Sequence, residues 1–250
     1  MGGLVVATLN LRNTADRWRE RAPLLVEQLV ELDPDVISVQ EVRRIPDQAR
    51  WIAREASRRR ADSPPWEVRT AFKTGPKRLW EGVAVFSRPP VEDAARIRLR
   101  GQSRVALRVT VMLADGRPLD VYSVHLADGD EAVRVEQARR LLAWMDERPG
   151  RPAVVMGDCN SRPGSAPIRT LTAGGRLRSA YALVHGSEPP RTVPPGGKGG
   201  GTVLDYVFVN DEVVVHDAWL AFDRPSPTDP ELYPSDHLGV AASISLVPPG

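Results

Sequence analysis

Read for its hydrophobic positions alone, the chain is a succession of short Val-rich runs: Leu4 to Leu9, Asp35 to Gln40, Val83 to Phe86, Ala153 to Met156 and Val203 to Val209. Continuous apolar runs of this length predict strands buried on both faces. Arg104 to Leu113 and Leu119 to Leu126 predict two more, joined by a hairpin turn at Ala114-Asp115-Gly116-Arg117, and Leu238 to Leu246 alternates as a last strand. Between these runs the spacing becomes helical. Trp18, Ala22, Leu25, Leu29 and Leu32 share one face of a helix that stops at Asp33-Pro34, and Val135, Ala138, Leu142 and Met145 mark another that ends near Pro149-Gly150. Both stripes read as core faces. Helices alternating with strands, with hairpins in each half, predict an α/β four-layer sandwich: two packed mixed sheets between outer helices.

Composition narrows this picture. At 250 residues, 42% of them hydrophobic, the chain has the size and core content of a single domain over residues 1–250, and the ending Val247-Pro248-Pro249-Gly250 reads as the start of a linker, so that domain could be part of a longer protein. No apolar window approaches the length needed to cross a bilayer, and the first strand begins directly after Met1-Gly2-Gly3 with no basic leader region. A lone Cys159 rules out intrachain disulfides and Cys-based zinc sites. The expectation is a cytoplasmic protein with no membrane partner.

Charge is informative in its distribution. The formal net charge of +2 is too small to argue for nucleic acid, but there are only three lysines, Lys73, Lys77 and Lys198, so nearly all positive charge is Arg. Arg50, Arg54, Arg58, Arg59 and Arg60 fall on one predicted helix, followed by Lys73, Lys77 and Arg78 in the next loop. Together with Arg104 these are candidates for contacting substrate phosphates. Against that stands the ordinary reading of an arginine-rich helix as a solvated face. Two segments are irregular: Glu188 to Gly201, rich in Pro and Gly, predicts a mobile loop and substrate lid just before Asp205, and Asp223 to Pro234 predicts a second loop on the same edge.

Candidate chemistry gathers where the apolar runs stop. Leu9-Asn10, Gln40-Glu41, Gly157-Asp158-Cys159-Asn160, Leu204-Asp205-Tyr206 and Ser235-Asp236-His237 would deliver Asn10, Glu41, Asp158, Asn160, Asp205, Asp236 and His237 to one sheet edge. Such a set supplies oxygen ligands for a hard cation and an acid/base pair. In an extended segment Asp158 and Asn160 share a face while Cys159 points into the core, and Gly157 permits a close backbone approach, as to a ligand. His125 ends the strand Val121 to Val124 and could reach the same edge, whereas His185 and His216 lack such company and read as surface residues.

As an ordered set, Thr8-Leu9-Asn10-Leu11-Arg12, Gln40-Glu41, Glu81-Gly82-Val83 to Arg88, Ser123-Val124-His125-Leu126, Gly157-Asp158-Cys159-Asn160, Leu204-Asp205-Tyr206-Val207-Phe208 and Ser235-Asp236-His237 resemble the endonuclease/exonuclease/phosphatase superfamily, the DNase I-like fold. The resemblance implies that Glu41 is the principal Mg²⁺ ligand, with Mn²⁺ as a substitute and with Asn10 and Asp236 nearby. It implies that Asp205 orients His237, that Asp158 positions or deprotonates the attacking water, and that Asn160 and His125 support the phosphate. Which of Asp158 and His237 is the general base stays open. Cys159 stands where the family often has Phe, and His125 stands where the apurinic endonuclease branch has Tyr. Val124-His125-Leu126, Arg134-x-x-Gln137 and Tyr233-Pro234-Ser235-Asp236-His237 look closest to the nocturnin-like deadenylase and RNA 3′-end phosphatase branch. The expected activity is therefore hydrolysis of a nucleic-acid phosphate ester, RNA ahead of DNA. One rival is a lipid or inositol-polyphosphate phosphoesterase, which predicts an exposed apolar membrane-contacting hairpin, and no aromatic-rich segment stands out, the six tryptophans being scattered. Another is a non-catalytic nucleic-acid-binding module, which predicts a lost catalytic position, and none is lost.

Overall fold

Apolar runs at strand spacing bury two faces at once, and here they build two sheets packed face to face. The computed structural model describes residues 3–60, 63–73, 81–194 and 200–248. In chain order the strands are β1 (Leu4–Asn10), β2 (Val36–Val42), β3 (Glu67–Phe72), β4 (Gly82–Ser87), β5 (Val91–Arg98), β6 (Val105–Met112), β7 (Pro118–His125), β8 (Ala153–Asp158), β9 (Arg178–Ser179), β10 (Asp205–Val209), β11 (Val213–Ala221) and β12 (Gly239–Leu246). Among the described residues five α-helices intervene: α1 (Trp18–Leu32) after β1, α2 (Gln48–Arg59) after β2, α3 (Glu131–Met145) after β7, and the short α4 (Ala166–Thr172) and α5 (Ala180–His185). One sheet runs β11-β12-β1-β2-β4-β3, the other β5-β6-β7-β8-β10-β9.

Each sheet has one parallel pair at its centre, β1 with β2 and β7 with β8, and antiparallel neighbours elsewhere. Parallel neighbours need a crossover, supplied by α1 in one sheet and α3 in the other. Helix starts are locally encoded: Asp47 accepts the Arg50 N–H and Asp130 accepts the Ala132 N–H. Between the sheets lies an aliphatic core that includes Val6, Val36, Val109, Val121, Val154, Met156, Val207 and Ile244. A second core joins Leu25, Leu29, Ile52 and Phe86 under α1 and α2, and a third joins Tyr122, Leu141, Trp144, Phe208 and Cys159 under α3. The four layers are those expected from the sequence.

All eight strands read from the sequence are present, and β3, β5, β9 and β11, which were not, are the four sheet edges. An edge strand has one unpaired side and less to bury. The pattern of β5 is mostly exposed, so no apolar run announces it. No helix among the described residues is long and apolar enough to cross a membrane. Lys77, Arg78 and Lys198 lie outside the described residues.

Candidate active site

The parallel pairs set up the site, because strands running together end together. β1 and β2 end at Asn10 and next to Glu41, β7 and β8 end at His125 opposite Asp158, and antiparallel β10 begins with Asp205 directly across from Asp158. His237 precedes β12, which runs antiparallel to β1 with Thr8 opposite Val240, and so arrives beside Asn10. Residues from both sheets thus share one edge.

Glu41 is aimed by a defect in the ladder. The β2–β4 register slips between Gln40 and Val42, and Glu41 at the bulge has φ 56°. A non-glycine residue held left-handed costs on the order of 1 kcal/mol, and bulges of this kind re-aim side chains beside active sites. The Asn10 side-chain amide donates to Glu41 Oε1 at 3.3 Å and to Asp158 Oδ2 at 3.0 Å, joining carboxylates from the two sheets. Behind them Gln40, Thr8 and Ser38 are hydrogen-bonded in the core, and Ser38 Oγ donates to Ser123 Oγ at 2.7 Å, tying sheet to sheet.

Gly157 lies where a Cβ would stand 1.9 Å from the Val124 carbonyl oxygen. The close approach anticipated there is therefore to β7, not to a ligand. β8 ends at Asp158, and Asn160 leaves the extended conformation with φ 46°, so the two side chains do not share a strand face. The Asn160 backbone N–H donates to Asp158 Oδ1 at 2.7 Å, while its side-chain amide donates to the Leu126 carbonyl at 3.0 Å. Cys159 is buried in the α3-side core as expected.

Two histidines are held in defined tautomers. His237 Nδ1 donates to Asp205 Oδ2 at 2.8 Å, which leaves Nε2 for a ligand. Arg104 Nη1 donates to His125 Nδ1 at 2.8 Å, and because guanidinium can only donate, the proton of neutral His125 sits on Nε2, which faces Asp158 Oδ2 at 3.5 Å. Arg104 is itself buried and bonded to Glu81 at 3.0 Å, and Glu81 also pairs with Lys73. Two of the candidate substrate contacts, Arg104 and Lys73, are thus drawn together beside His125.

Electrostatics separates the titrating groups. Burial, then the charges of Arg104, Lys73 and His237, hold the His125 imidazole well below its usual pKa, so it is neutral. For His237, burial disfavours the charged form, but Asp205, by charge and hydrogen bond, and then Asp158 and Asp236 raise its pKa to about 10. Burial and the neighbouring Asp205 push Asp158 up to about 7, against the pull of His237 and its hydrogen bonds. Asp158, Asp205 and His237 offer ligand atoms all within 4.8 Å of one another, a group able to hold a metal ion. Asp205 Oδ1 is buried without a hydrogen-bond partner. Two buried carboxylates with one imidazolium leave a shortage of positive charge that a divalent cation fits, and because the protonated His237 is not a ligand, the donors left are carboxylate oxygens, the chemistry of a hard cation.

Not every sequence-predicted residue turns the same way. The Asp236 carboxylate is engaged by Arg12 and accepts from Ser235 Oγ at 3.3 Å. Arg60, at the end of α2, pairs with Asp33, which precedes β2, so that end of the helix lies about 20 Å from Glu41 at the strand rise of β2. His185 and His216 are exposed, as expected. The loop read as a lid is anchored in its described part: Thr192 and Val193 are fully buried, Thr192 Oγ1 donates to Asp205 Oδ2 at 2.6 Å, and the Thr192 carbonyl accepts the Leu238 N–H at 2.7 Å. Sequence reasoning also passed over Arg21, which is buried and donates to the carbonyls of Leu11, Ala15, Asp16 and Pro234, bracing the loops on either side of Asn10 and His237. Its place on the α1 stripe, one residue before Ala22, was the available signal.

Nocturnin of Xenopus laevis is 27% identical to this chain, aligned over 92% of it and 65% of its own length. The inositol phosphosphingolipids phospholipase C of Saccharomyces cerevisiae is 26% identical over 62% of this chain and 36% of its own. Against the nocturnins it matches, the chain spans 59% to 65% of their length. Among solved structures, the human nocturnin catalytic domain with bound sulfate superposes with TM-score 0.78 at 23% identity, covering 98% of this chain and 94% of that one. A Bacteroides thetaiotaomicron mannosyl-6-phosphatase gives 0.79 at 20%, covering 97% and 99%. Likenesses at that identity carry the fold, the DNase I-like sandwich described above. The model of the Endonuclease/Exonuclease/phosphatase family matches residues 7–237, from β1 through His237. This chain therefore belongs to the Endonuclease/Exonuclease/phosphatase family.

Proposed function

We propose that the protein is a Mg²⁺-dependent phosphoesterase that hydrolyses a nucleic-acid phosphate ester by in-line attack of water, with an RNA 3′ end ahead of DNA. The observation that carries the chemistry is the buried Asp158, Asp205 and His237 cluster flanked by a neutral, donor-only His125 Nε2. Asp158, its proton affinity raised toward neutrality, takes the proton of the attacking water. His237, held protonated by Asp205, donates from Nε2 to the phosphoryl or leaving oxygen. His125 adds a neutral hydrogen bond to the phosphate, and Asn160 holds Asp158 through its backbone N–H.

Glu41 leads the residues that would hold the cation, with Asn10 and Asp236 beside it; when bound, the ion supplies charge neutralisation and Lewis acidity at the phosphoryl oxygens. RNA is favoured because the sequence resemblance runs to the nocturnin-like branch and nocturnins recur among the relatives. We place this activity in one domain over residues 1–250, within a polypeptide that could be longer, acting in the cytoplasm.

A second reading, hydrolysis of a phosphorylated head group or sugar, is favoured by the yeast phospholipase C relative and the mannosyl-6-phosphatase neighbour. It expects an apolar membrane-facing hairpin. Among the described residues the exposed large apolar side chains are Leu183 and Val184, neighbours on the short α5, and Ile45, Val214 and Val247 elsewhere, none of them on a hairpin tip. Assay of the purified protein with Mg²⁺ on RNA, DNA, cyclic-phosphate ends, sphingomyelin and inositol phosphates decides. Turnover of RNA 3′ ends is expected, and turnover of head groups alone would overturn the nucleic-acid reading.

A further inference from the structure

Resting on the nucleic-acid reading, we propose that the arginine ridge of α2 and the two grooves beside it form the track for a single-stranded nucleic acid leaving the active site. Arg50, Arg54 and Arg58 recur at the helical interval of four residues and are all exposed, so they form one ridge about 12 Å long. Arg54 makes no ion pair among the described residues, Arg58 is paired only within its own helix to Glu55, and Arg50 reaches Asp47 at 3.7 Å. Arg54 is thus the unshared charge of the ridge, and Arg50 and Arg58, each beside one carboxylate of the same helix, keep guanidinium groups in solvent, so the face stays net positive toward a polyanion.

Grooves flank the ridge on both sides, each lined in part by tryptophan. One, of about 390 Å³, is walled by Trp18, Trp51 and Pro46, with Arg50 and Arg54 on its lip. The other, of about 440 Å³, is walled by Pro65 and Val68 beneath Arg54 and Arg58, with Trp66 buried at its base under the Arg88 guanidinium at 4.3 Å, so this groove offers an apolar wall and not a stacking face. Trp18 and Trp51 meet edge to face at 5.9 Å and both remain partly exposed. The partly exposed Trp18 and Trp51 rings beside a line of guanidinium groups suit bases and phosphates of an unpaired strand.

Continuity with the site comes from the start of α2. Gln48 donates to the Asn13 carbonyl at 2.9 Å, and Arg43 donates to Thr14, which lines the Trp18 groove. Thr14 is four residues from Asn10, so the groove opens within about 14 Å of the site. A strand with its scissile phosphate at His125 and His237 could pass the Trp18 groove and continue along the ridge. Bases would lie against Trp18 and Trp51 and phosphates on Arg50, Arg54 and Arg58.

Asp158→Asn protein, used to prevent turnover, is titrated by fluorescence anisotropy with single strands of about 3 and about 12 nucleotides and with an abasic strand of the longer length. Salt is varied between about 50 and 200 mM. The longer strand is expected to bind at least about tenfold tighter than the short one and than the abasic strand, since each stacked base contributes that order of affinity. Adding Arg50→Glu and Arg54→Glu is expected to erase the length advantage and to flatten the slope of log affinity against log salt by about 1.4, at about 0.7 per lost phosphate contact. Both positions are exposed, so the thermal midpoint of the variant reports that it is folded. If the doubly reversed protein keeps the length advantage, or if the abasic strand binds as tightly as the base-bearing one, the track is wrong while the nucleic-acid reading stands. If the Asp158→Asn protein binds no strand at all, the nucleic-acid reading itself fails and the track with it.

Discussion

One pair of parallel strands, β7 and β8, carries a buried carboxylate at each end, and the fold treats the two ends oppositely. Asp120, opposite Ala153, is fully buried; its Oδ1 accepts from Thr110 Oγ1 at 2.7 Å with Arg151 at 3.8 Å, and its Oδ2, which like Asp205 Oδ1 accepts no hydrogen bond, is ion-paired with Arg148 at 2.9 Å. Asp158, opposite His125, is equally buried, but its neighbours are a second carboxylate, an amide, a neutral imidazole and one imidazolium shared with Asp205. At the first end negative charge is answered by cations within the chain; at the second it is left in excess. Burial of a carboxylate therefore does not mark the site, because Asp120 and Asp158 share it. Uncompensated charge does, and a cationic partner from outside the chain is its natural complement.

Supplying and withholding that partner should give the largest effects. Excess chelator is expected to abolish phosphoester hydrolysis, and Glu41→Gln to lower kcat/KM by about 10³-fold with the fold intact by circular dichroism. Full turnover in chelator would break the comparison at its root. Asp158→Asn is expected to cost about 10³-fold in kcat. Its stability effect has a defined sign. The folded pKa of about 7 exceeds the unfolded carboxylate value, so the penalty for the buried charge is absent below the unfolded pKa, grows through pH 4 to 7 and is complete above it. Denaturant titration of metal-free protein should show the Asn variant more stable than the parent at pH 8, by up to a few kcal/mol, and little changed at pH 4. Asp120→Asn should do the reverse, leaving kcat within a few-fold and costing about 3 kcal/mol because Arg148 and Arg151 lose the buried carboxylate they share, Arg148 keeping only Asp93 at 3.7 Å. Destabilisation by both substitutions at pH 8 would show that the two ends do not differ as argued.

Asp205→Asn should fall next in size, lowering kcat by about 100-fold with a smaller change in KM, because the His237 imidazole loses the acceptor that fixes its tautomer. With His237 raised to about 10, the stability it contributes is fully present below the ordinary His pKa and is lost as pH rises through the folded value. The rate should likewise decline only as pH approaches 10 in the parent, and the Asn variant should move that decline toward neutrality. An alkaline limb unmoved by Asp205→Asn would assign the proton donor to another group.

What was legible in the sequence followed from burial and chain order. Inner strands announce themselves as apolar runs, so the residues at their ends, Asn10, Glu41, His125, Asp158 and Asp205, are legible from the sequence as neighbours of one sheet edge. Edge strands such as β5, mostly exposed, do not. Side-chain direction was less legible. The φ of 46° at Asn160 breaks the alternation that pairing with Asp158 assumed, and Arg12 holds Asp236 by a contact between residues 224 apart in the chain. Thr192 was hidden in a Pro- and Gly-rich segment whose composition suggested a lid, although its hydroxyl is buried against Asp205. No local pattern encodes a partner that only the closed fold brings into place.

The smallest and sharpest test uses two threonines that do the same thing at opposite ends. Thr192 Oγ1 donates to Asp205 Oδ2 at 2.6 Å, and Thr110 Oγ1 donates to Asp120 Oδ1 at 2.7 Å. Thr→Val keeps the shape and deletes the hydroxyl. Thr110→Val removes one of several partners of Asp120, so it should cost about 1 kcal/mol of stability and leave kcat unchanged. Thr192→Val also strips the acceptor used by the backbone N–H groups of Leu204 at 2.9 Å and Asp205 at 3.1 Å. It should therefore cost about 1–2 kcal/mol and, by loosening the carboxylate that orients His237, lower kcat by about tenfold at nearly constant KM. Steady-state kinetics beside denaturant titrations of the two variants would read both quantities. Equal losses of kcat would mean that the two ends are coupled through β7 and β8 and that the division between a compensated and an uncompensated end is too simple.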